Sequence, residues 1–271
     1  MNIYNDSDLL ETAVKASRIA GEFILQNLGK LSAGDIDTKQ RSDFVTYVDK
    51  KSENLIIKII KQSYPGHGIL AEESINETSS SEYRWIIDPL DGTTNFIHGF
   101  PVFSVSIALE HKGEMIAGVV YDPLRKESFT ALKGYGAYLN CQPLKQLETT
   151  DLSRSLISTG FPFKQREHMD NYLNLFKNII SKVSDIRRAG SAAIDLSYLA
   201  AGRCDGFFEI GLSPWDIAAG TLLIKEAGGI VTDFSGGSDY LTTGNIVAGP
   251  PAIHKELLKD VKSVFKGVID K

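Results

Sequence analysis

Cysteine is scarce. Only Cys141 and Cys204 occur, far apart, without Cys-x-x-Cys spacing or a Cys/His cluster, which argues against a zinc site and reads as two reduced thiols. Long apolar runs are missing too: nowhere do eighteen apolar residues follow one another, so no membrane span is expected. The opening Met1-Asn2-Ile3-Tyr4-Asn5-Asp6 has no basic region leading into an apolar stretch. The expectation is a soluble, cytoplasmic chain. An excess of positive charge is also absent; a formal net charge of -5 disfavours a protein built to coat nucleic acid, which relies on clustered Lys and Arg. There is no internal repeat, no long low-complexity segment and no Gly-x-Ser-x-Gly nucleophile elbow.

What the chain does have is apolar content: 42% hydrophobic residues in 271, enough for one large unit, residues 1–271, with approximate lobes 1–150 and 151–271. Asp6 or Ser7 is a plausible N-cap for a helix whose apolar residues Leu9, Leu10, Val14, Ile19, Ile24, Leu25 and Leu28 recur at helical spacing. A second helix is predicted from about Thr46 to Tyr64, stopped by Pro65-Gly66. From Ile69 to about Tyr138 the texture changes to short β-branched and aromatic runs, split by Gly, Pro and Lys-Gly-Glu turns. These predict a mostly antiparallel sheet. The second half alternates: strand 156–158, helix 169–183, helix 192–201, strand 206–209, helix 217–227, strand 230–232 and a last helix opening at Pro250 or Pro251. Helices layered on sheets follow from that order. Glu77 to Glu82 reads as a mobile polar surface loop, the histidines as surface or turn residues, and Tyr135 and Tyr138 as sheet packing.

The most informative segment is Trp85-Ile86-Ile87-Asp88-Pro89-Leu90-Asp91-Gly92-Thr93-Thr94-Asn95-Phe96. An apolar strand delivers Asp88, Pro89 is expected to end the strand, and the following turn can bring Asp91 back beside Asp88. Carboxylates held that close repel, and a divalent cation is the natural compensation. Hard oxygen ligands favour Mg2+, and the Leu90 carbonyl can add another oxygen. Gly92-Thr93-Thr94 can present backbone N–H groups and hydroxyls to a phosphate. The same residues also suit a plain turn in which Asp91-Gly92 reverses the chain and Asp88 caps it.

This segment resembles the first signature of the inositol monophosphatase family, Asp-Pro-(Ile or Leu)-Asp-Gly-Thr-x-Asn-Phe. Trp215-Asp216-Ile217-Ala218-Ala219-Gly220, followed by Glu226-Ala227-Gly228-Gly229, resembles the second, and Glu72-Glu73-Ser74 is a third match; the Gly190 to Leu196 run and Asp205 to Glu209 are most similar to the bacterial branch. The resemblance implies a layered α/β/α/β/α sandwich, a homodimer, lithium sensitivity and two or three Mg2+ ions per subunit. It implies Glu72, Asp88 and the Leu90 carbonyl on one ion, and Asp88, Asp91 and Asp216 on a second. Thr93 with Asp49 would orient the attacking water, with Glu72 also catalytic. The implied substrate contacts are Asp91, Gly92, Thr93, Thr94, Gly190, Ser191, Ala192, Glu209 and Asp216. Read alone, Asp216 is a helix N-cap, Glu72 an exposed loop acid, Asp49 a polar residue near a helix start, Gly190-Ser191 a helix N-cap and Glu209 a strand-end charge.

The implied reaction is hydrolysis of a phosphorylated polyol or sugar, inositol 1-phosphate first. Relatives with the same metal core act on fructose 1,6-bisphosphate, adenosine 3',5'-bisphosphate or histidinol phosphate, and a bisphosphate would call on Arg187, Arg188 or Lys164. A reading of another class also follows from the resemblance, since some bacterial members are protein partners in ribosomal RNA transcription complexes.

Overall fold

The computed structural model describes residues 6–40, 43–74, 76–77 and 81–266. Its first two helices, α1 (Asp6–Asn27) and α2 (Tyr47–Ser63), are amphipathic: α1 buries Leu9, Ala13, Ala16, Ala20 and Ile24, and α2 buries Val48, Ser52, Ile56 and Ile60. Thr46 caps α2 in a reciprocal box, its hydroxyl accepting from Val48 N while Asp49 Oδ2 accepts from Thr46 N at 2.8 Å. The helix closes at Tyr64, whose N–H reaches Ile60 O, and Pro65 follows.

A two-stranded ribbon, β1 (Ile36–Gln40) and β2 (Asp43–Thr46), joins these helices. The large sheet holds β3 (Gly68–Ala71), β4 (Asn76–Glu77), β5 (Tyr83–Asp91), β6 (Ser104–His111), β7 (Glu114–Asp122), β8 (Glu127–Leu132), β9 (Gly136–Leu139) and β10 (Gln142–Pro143), in the order 10-9-8-7-6-5-3-4. Only β3 and β5 pair in parallel; every other neighbour is antiparallel. The small sheet has the order 12-11-13-15-14 and contains β11 (Leu156–Thr159), β12 (Asp185–Arg187), β13 (Gly206–Glu209), β14 (Ile230–Thr232) and β15 (Ile246–Gly249). The remaining helices are α3 (Thr93–His98), α4 (Met169–Ile180), α5 (Ala192–Ala200), α6 (Pro214–Glu226), α7 (Tyr240–Thr243) and α8 (Pro251–Phe265).

The layers follow from which faces are apolar. Helices α1 and α2 cover one face of the large sheet, α5 and α6 fill the space between the two sheets, and α4 and α8 cover the far face of the small one. Three apolar clusters match these interfaces: Ile24, Ile56, Trp85 and Val119; Phe129, Leu196, Phe207 and Leu223; Ile157, Leu175, Phe208 and Leu257. Each fully buried large side chain contributes about 1.5–3 kcal/mol by leaving water. Being wrapped on all sides, α5 and α6 carry almost unbroken apolar sequence. Glu226, at the end of α6, accepts from Gly134 N and Gly136 N at 2.9 Å each, fastening the β8–β9 turn to this central helix.

Several expectations need correction. Pro89 does not end its strand, because β5 runs on to Asp91 through a bulge. Helix α6 begins at Pro214 with Ser213 as N-cap, so Asp216 is the third helical residue and not the cap. Asn76–Glu77 pairs with β3 instead of lying in the polar loop, and residues 78–80 of that loop lie outside the described residues. Tyr135 is 68% exposed, in the turn between β8 and β9. His67 and His254 are buried: His67 stacks between Tyr64 and Tyr83 and accepts from Trp85 Nε1, and burial with nearby Lys61 pushes its pKa down to about 4. Among the described residues, no helix is long and apolar enough to cross a membrane.

Candidate active site

Asp88 and Asp91 stand three residues apart, which on a regular strand would put them on opposite faces. The bulge changes that: Asp88 pairs with Ser106 and Asp91 with Ser104, three steps on β5 against two on β6. The extra residue returns both carboxylates to one side. Asp216 arrives from the first turn of α6, and one carboxylate oxygen of each of the three lies within 4.8 Å of the others.

Each acid has one oxygen fixed by a backbone N–H. Asp88 Oδ1 accepts from Leu90 N at 2.9 Å, Asp91 Oδ2 from Ala193 N at 2.8 Å and Asp216 Oδ2 from Ser213 N at 2.6 Å. Ser191, the N-cap of α5, adds its hydroxyl to Asp91 Oδ2. The carboxyls are thus aimed before anything binds. Burial raises the pKa of Asp88 well above the usual range, and the adjacent Glu72, Asp91 and Asp216 raise it further. Asp91 and Asp216 are each pushed up to about 6, chiefly by burial, against the bonds from Ser191 and Ala193 in the first case and Lys164 in the second.

Glu72 lies just past β3, outside the tight group of three but on the same cavity wall. Its segment is held from two directions: Glu72 N donates to Ile87 O, and the buried Glu53 carboxylate accepts from Glu73 N and the Ser74 hydroxyl. Thr93 opens α3 after Gly92, whose φ of +93° and close approach to Val102 O suit glycine. The Thr93 hydroxyl lies 2.7 Å from Asp49 Oδ1 and 3.0 Å from the Leu90 carbonyl. Asp49 is wholly buried, and burial raises its pKa against bonds from Thr46 and Thr93.

Glu72, Leu90, Thr93 and the three clustered acids line a cavity of about 450 Å3, a size suited to a small metabolite. Thr94, Gly190, Ser191 and Ala192 border it, and so does Glu209 at the end of β13. Lys164 and Arg188 also face it, Arg188 resting on Phe161 and Phe163 with its guanidinium carbon 5.4 and 5.2 Å from the ring centroids. Arg187 does not face it: exposed on β12, it pairs with Asp185.

Three contributors are not among the candidate site residues of the sequence, although Asn95 and Asp195 lie within its motifs. Asp195 is a buried acid on the apolar helix α5 that lines the cavity; burial and Asp91 raise its pKa well above normal, and burial together with Asp195 raises that of Glu209. One charge inside Ala-Ala-Ile-Asp-Leu-Ser-Tyr-Leu-Ala is the signal that could have found it. Glu53, on the buried side of α2, offers the same kind of signal. Asn95 donates to Val102 O at 2.7 Å and Ala189 O at 2.9 Å, tying α3 to the loop before Gly190, and nothing in its spacing predicts that contact.

The family model described as the inositol monophosphatase family matches residues 5–265. Nus factor SuhB of Escherichia coli strain K12 is 50% identical over 255 residues, spanning 94% of this chain and 96% of its own. The crystal structure of extragenic suppressor protein suhB from Bartonella henselae superposes with a TM-score of 0.91 at 41% identity, covering 94% of this chain and 98% of that one. Inositol monophosphatase from Anabaena (Nostoc) sp. PCC 7120 gives a TM-score of 0.86 at 40% identity, covering 95% and 96%. With its layered α+β architecture, its acidic cluster and a family match over nearly its whole length, the chain belongs to the inositol monophosphatase family.

Proposed function

We propose that the protein hydrolyses a phosphate monoester with Mg2+, inositol 1-phosphate before other substrates. The observation that carries this reading is the convergence of the Asp88, Asp91 and Asp216 carboxylates in one cavity of metabolite size, with Thr93 on its wall bonded to the buried Asp49. The residues fit the cation: the cavity is lined by oxygen donors, with no His or Cys among its described residues, and the raised acids lose their mutual repulsion when a divalent ion lies between them. Glu72, Asp88 and the Leu90 carbonyl would hold one ion, and Asp88, Asp91 and Asp216 a second. Such ions neutralise phosphoryl oxygens, acidify water and stabilise the leaving alkoxide.

The chain's own groups do the rest. Thr93 Oγ, placed to give its proton to Asp49 Oδ1, can take one from the attacking water, and buried Asp49 is tuned toward accepting it. Gly92, Thr93 and Thr94 would receive the phosphate, and Gly190 to Ala192 and Glu209, which border the same cavity, the hydroxylated ring. The acids Asp195 and Glu209 on that side and the turned-away Arg187 favour a monophosphate, while Lys164 and Arg188 on the cavity wall are the cations that a second phosphate would use.

The test is phosphate release from inositol 1-phosphate, fructose 1,6-bisphosphate and adenosine 3',5'-bisphosphate, each with Mg2+ and with chelator. Metal-dependent release, greatest for the inositol ester, is expected. A folded protein that releases phosphate from none of them would instead support the second reading, association with a transcription complex, which is favoured by a relative of 50% identity being named a Nus factor.

A pH effect follows from the raised acids. Asp91 and Asp216 go from 3.8 to about 6 in the fold, so their contribution to stability is full below about 4 and is lost as pH rises through about 6. A bound cation removes that loss. The rise in Tm given by saturating Mg2+ is therefore expected to be larger at about pH 8 than at about pH 5, and equal rises would refute the assignment of these acids to the cation.

A further inference from the structure

We propose that Gly160 sets the preference of this cavity for a polyol leaving group, by leaving room for the Glu209 carboxylate to lie across the backbone at the end of β11. The polyol substrate rests on the hydrolytic reading above, while the geometry stands independently of it. Strands β11 and β13 run parallel with Thr159 beside Phe208, so the next residues, Gly160 and Glu209, lie abreast. The strand ends are clamped there: Thr159 Oγ1 donates to Phe208 O at 2.7 Å and shares a hydrogen bond with the buried Tyr172 hydroxyl at 2.9 Å.

A Cβ on Gly160 would fall 1.7 Å from Glu209 Oε1 and 2.1 Å from its Cδ. The carboxylate therefore occupies the space that any other residue needs for its side chain. The backbone of Gly160 is not in the left-handed region, so its conformation alone does not demand glycine; a larger residue there would require the Glu209 side chain to move. Glu209 lines the cavity, and its carboxylate receives no hydrogen bond from the described residues, which leaves its oxygens to accept from substrate hydroxyls. Its charged neighbours are Asp195, Arg188, Asp216 and Asp91, the three acids opposing its charge and Arg188 favouring it. A Cβ at Gly160 would force the Glu209 carboxylate out of the position it holds beside the end of β11. Gly160 is thus a positioning residue, acting through Glu209.

The experiment compares inositol 1-phosphate with 4-nitrophenyl phosphate, whose leaving group offers Glu209 no hydroxyl. For Gly160→Ala, the ratio of kcat/KM for the inositol ester to that for the nitrophenyl ester should fall about tenfold or more, mainly through KM of the inositol ester. Glu209→Gln should lower the ratio similarly, and adding Gly160→Ala to it should lower it no further. An unchanged ratio in Gly160→Ala, or full additivity of the two losses, overturns the inference. If Gly160→Ala alone does not fold, Gly160→Ala with Glu209→Ala removes the overlap and should fold; failure of that pair also overturns it. If the wild type cleaves neither ester, the hydrolytic reading fails and calorimetric titration with inositol 1-phosphate decides: binding weakened about tenfold in Gly160→Ala sustains the role of Gly160, whereas equal affinity, or no binding by the wild type, overturns it.

Discussion

Replacing Asp88 by Asn is expected to lower Mg2+-dependent phosphate release by about 10^3-fold or more, and to raise the melting temperature of the metal-free protein. The two effects share one cause. Asp88 is the acid most exposed to its neighbours' charge, and it belongs to both proposed ion sites. Asn keeps the size and the oxygen that accepts from Leu90 N while removing the charge. Without metal, that charge is buried against Glu72, Asp91 and Asp216, so its removal relieves repulsion; a gain of about 1 kcal/mol moves the midpoint by about 2–4 °C in a chain of this size. With metal, the lost anion weakens transition-state stabilisation by about 4 kcal/mol. Calorimetry in chelator beside a release assay measures both. A lower melting temperature in chelator would mean that the Asp88 charge supports the fold, and that repulsion among these acids does not govern the stability of the empty site.

Thr93→Val should lower kcat by about 10^2–10^3-fold with KM changed by less than about threefold. Valine preserves the shape but cannot pass a proton between water and Asp49, nor donate to Asp49 Oδ1. Asp49→Asn should give a similar loss, and the double variant little more, because the two residues act as one unit. A Thr93→Val enzyme with unaltered kcat would remove the pair from the mechanism.

Much of this arrangement is readable from the sequence, for reasons that differ from residue to residue. Helices α1 and α2 show as periodic apolar stripes because each has one face on the sheet and one in water. Asp88 and Asp91 stand out because paired acids after an apolar run need a reason. The way they meet is hidden, since a bulge is a property of two paired strands and β6 leaves no mark of it near Pro89. Asp216 is legible as an acid at a helix start, yet its place one turn inside depends on whether Ser213 or Asp216 takes the cap, and both residue types suit that position. Short β12 and β15 escape notice because three or four residues carry too little pattern. Gly160 in Thr-Gly-Phe-Pro reads as an ordinary turn, and only the adjacent strand shows what its missing side chain makes room for.

The central place of α6 has a consequence for when the site comes into being. Asp88 and Asp91 are made about a third of the way along the chain, whereas Asp216 comes far later, on the helix packed between the two sheets. A nascent or partly folded molecule lacking docked α6 holds two of the clustered acids but not the third. Any cation that needs all three therefore distinguishes finished copies from unfinished ones and adds its binding energy to the finished ones alone. The same helix that fills the middle of the sandwich would thus tie such a cation site to its own docking between the sheets.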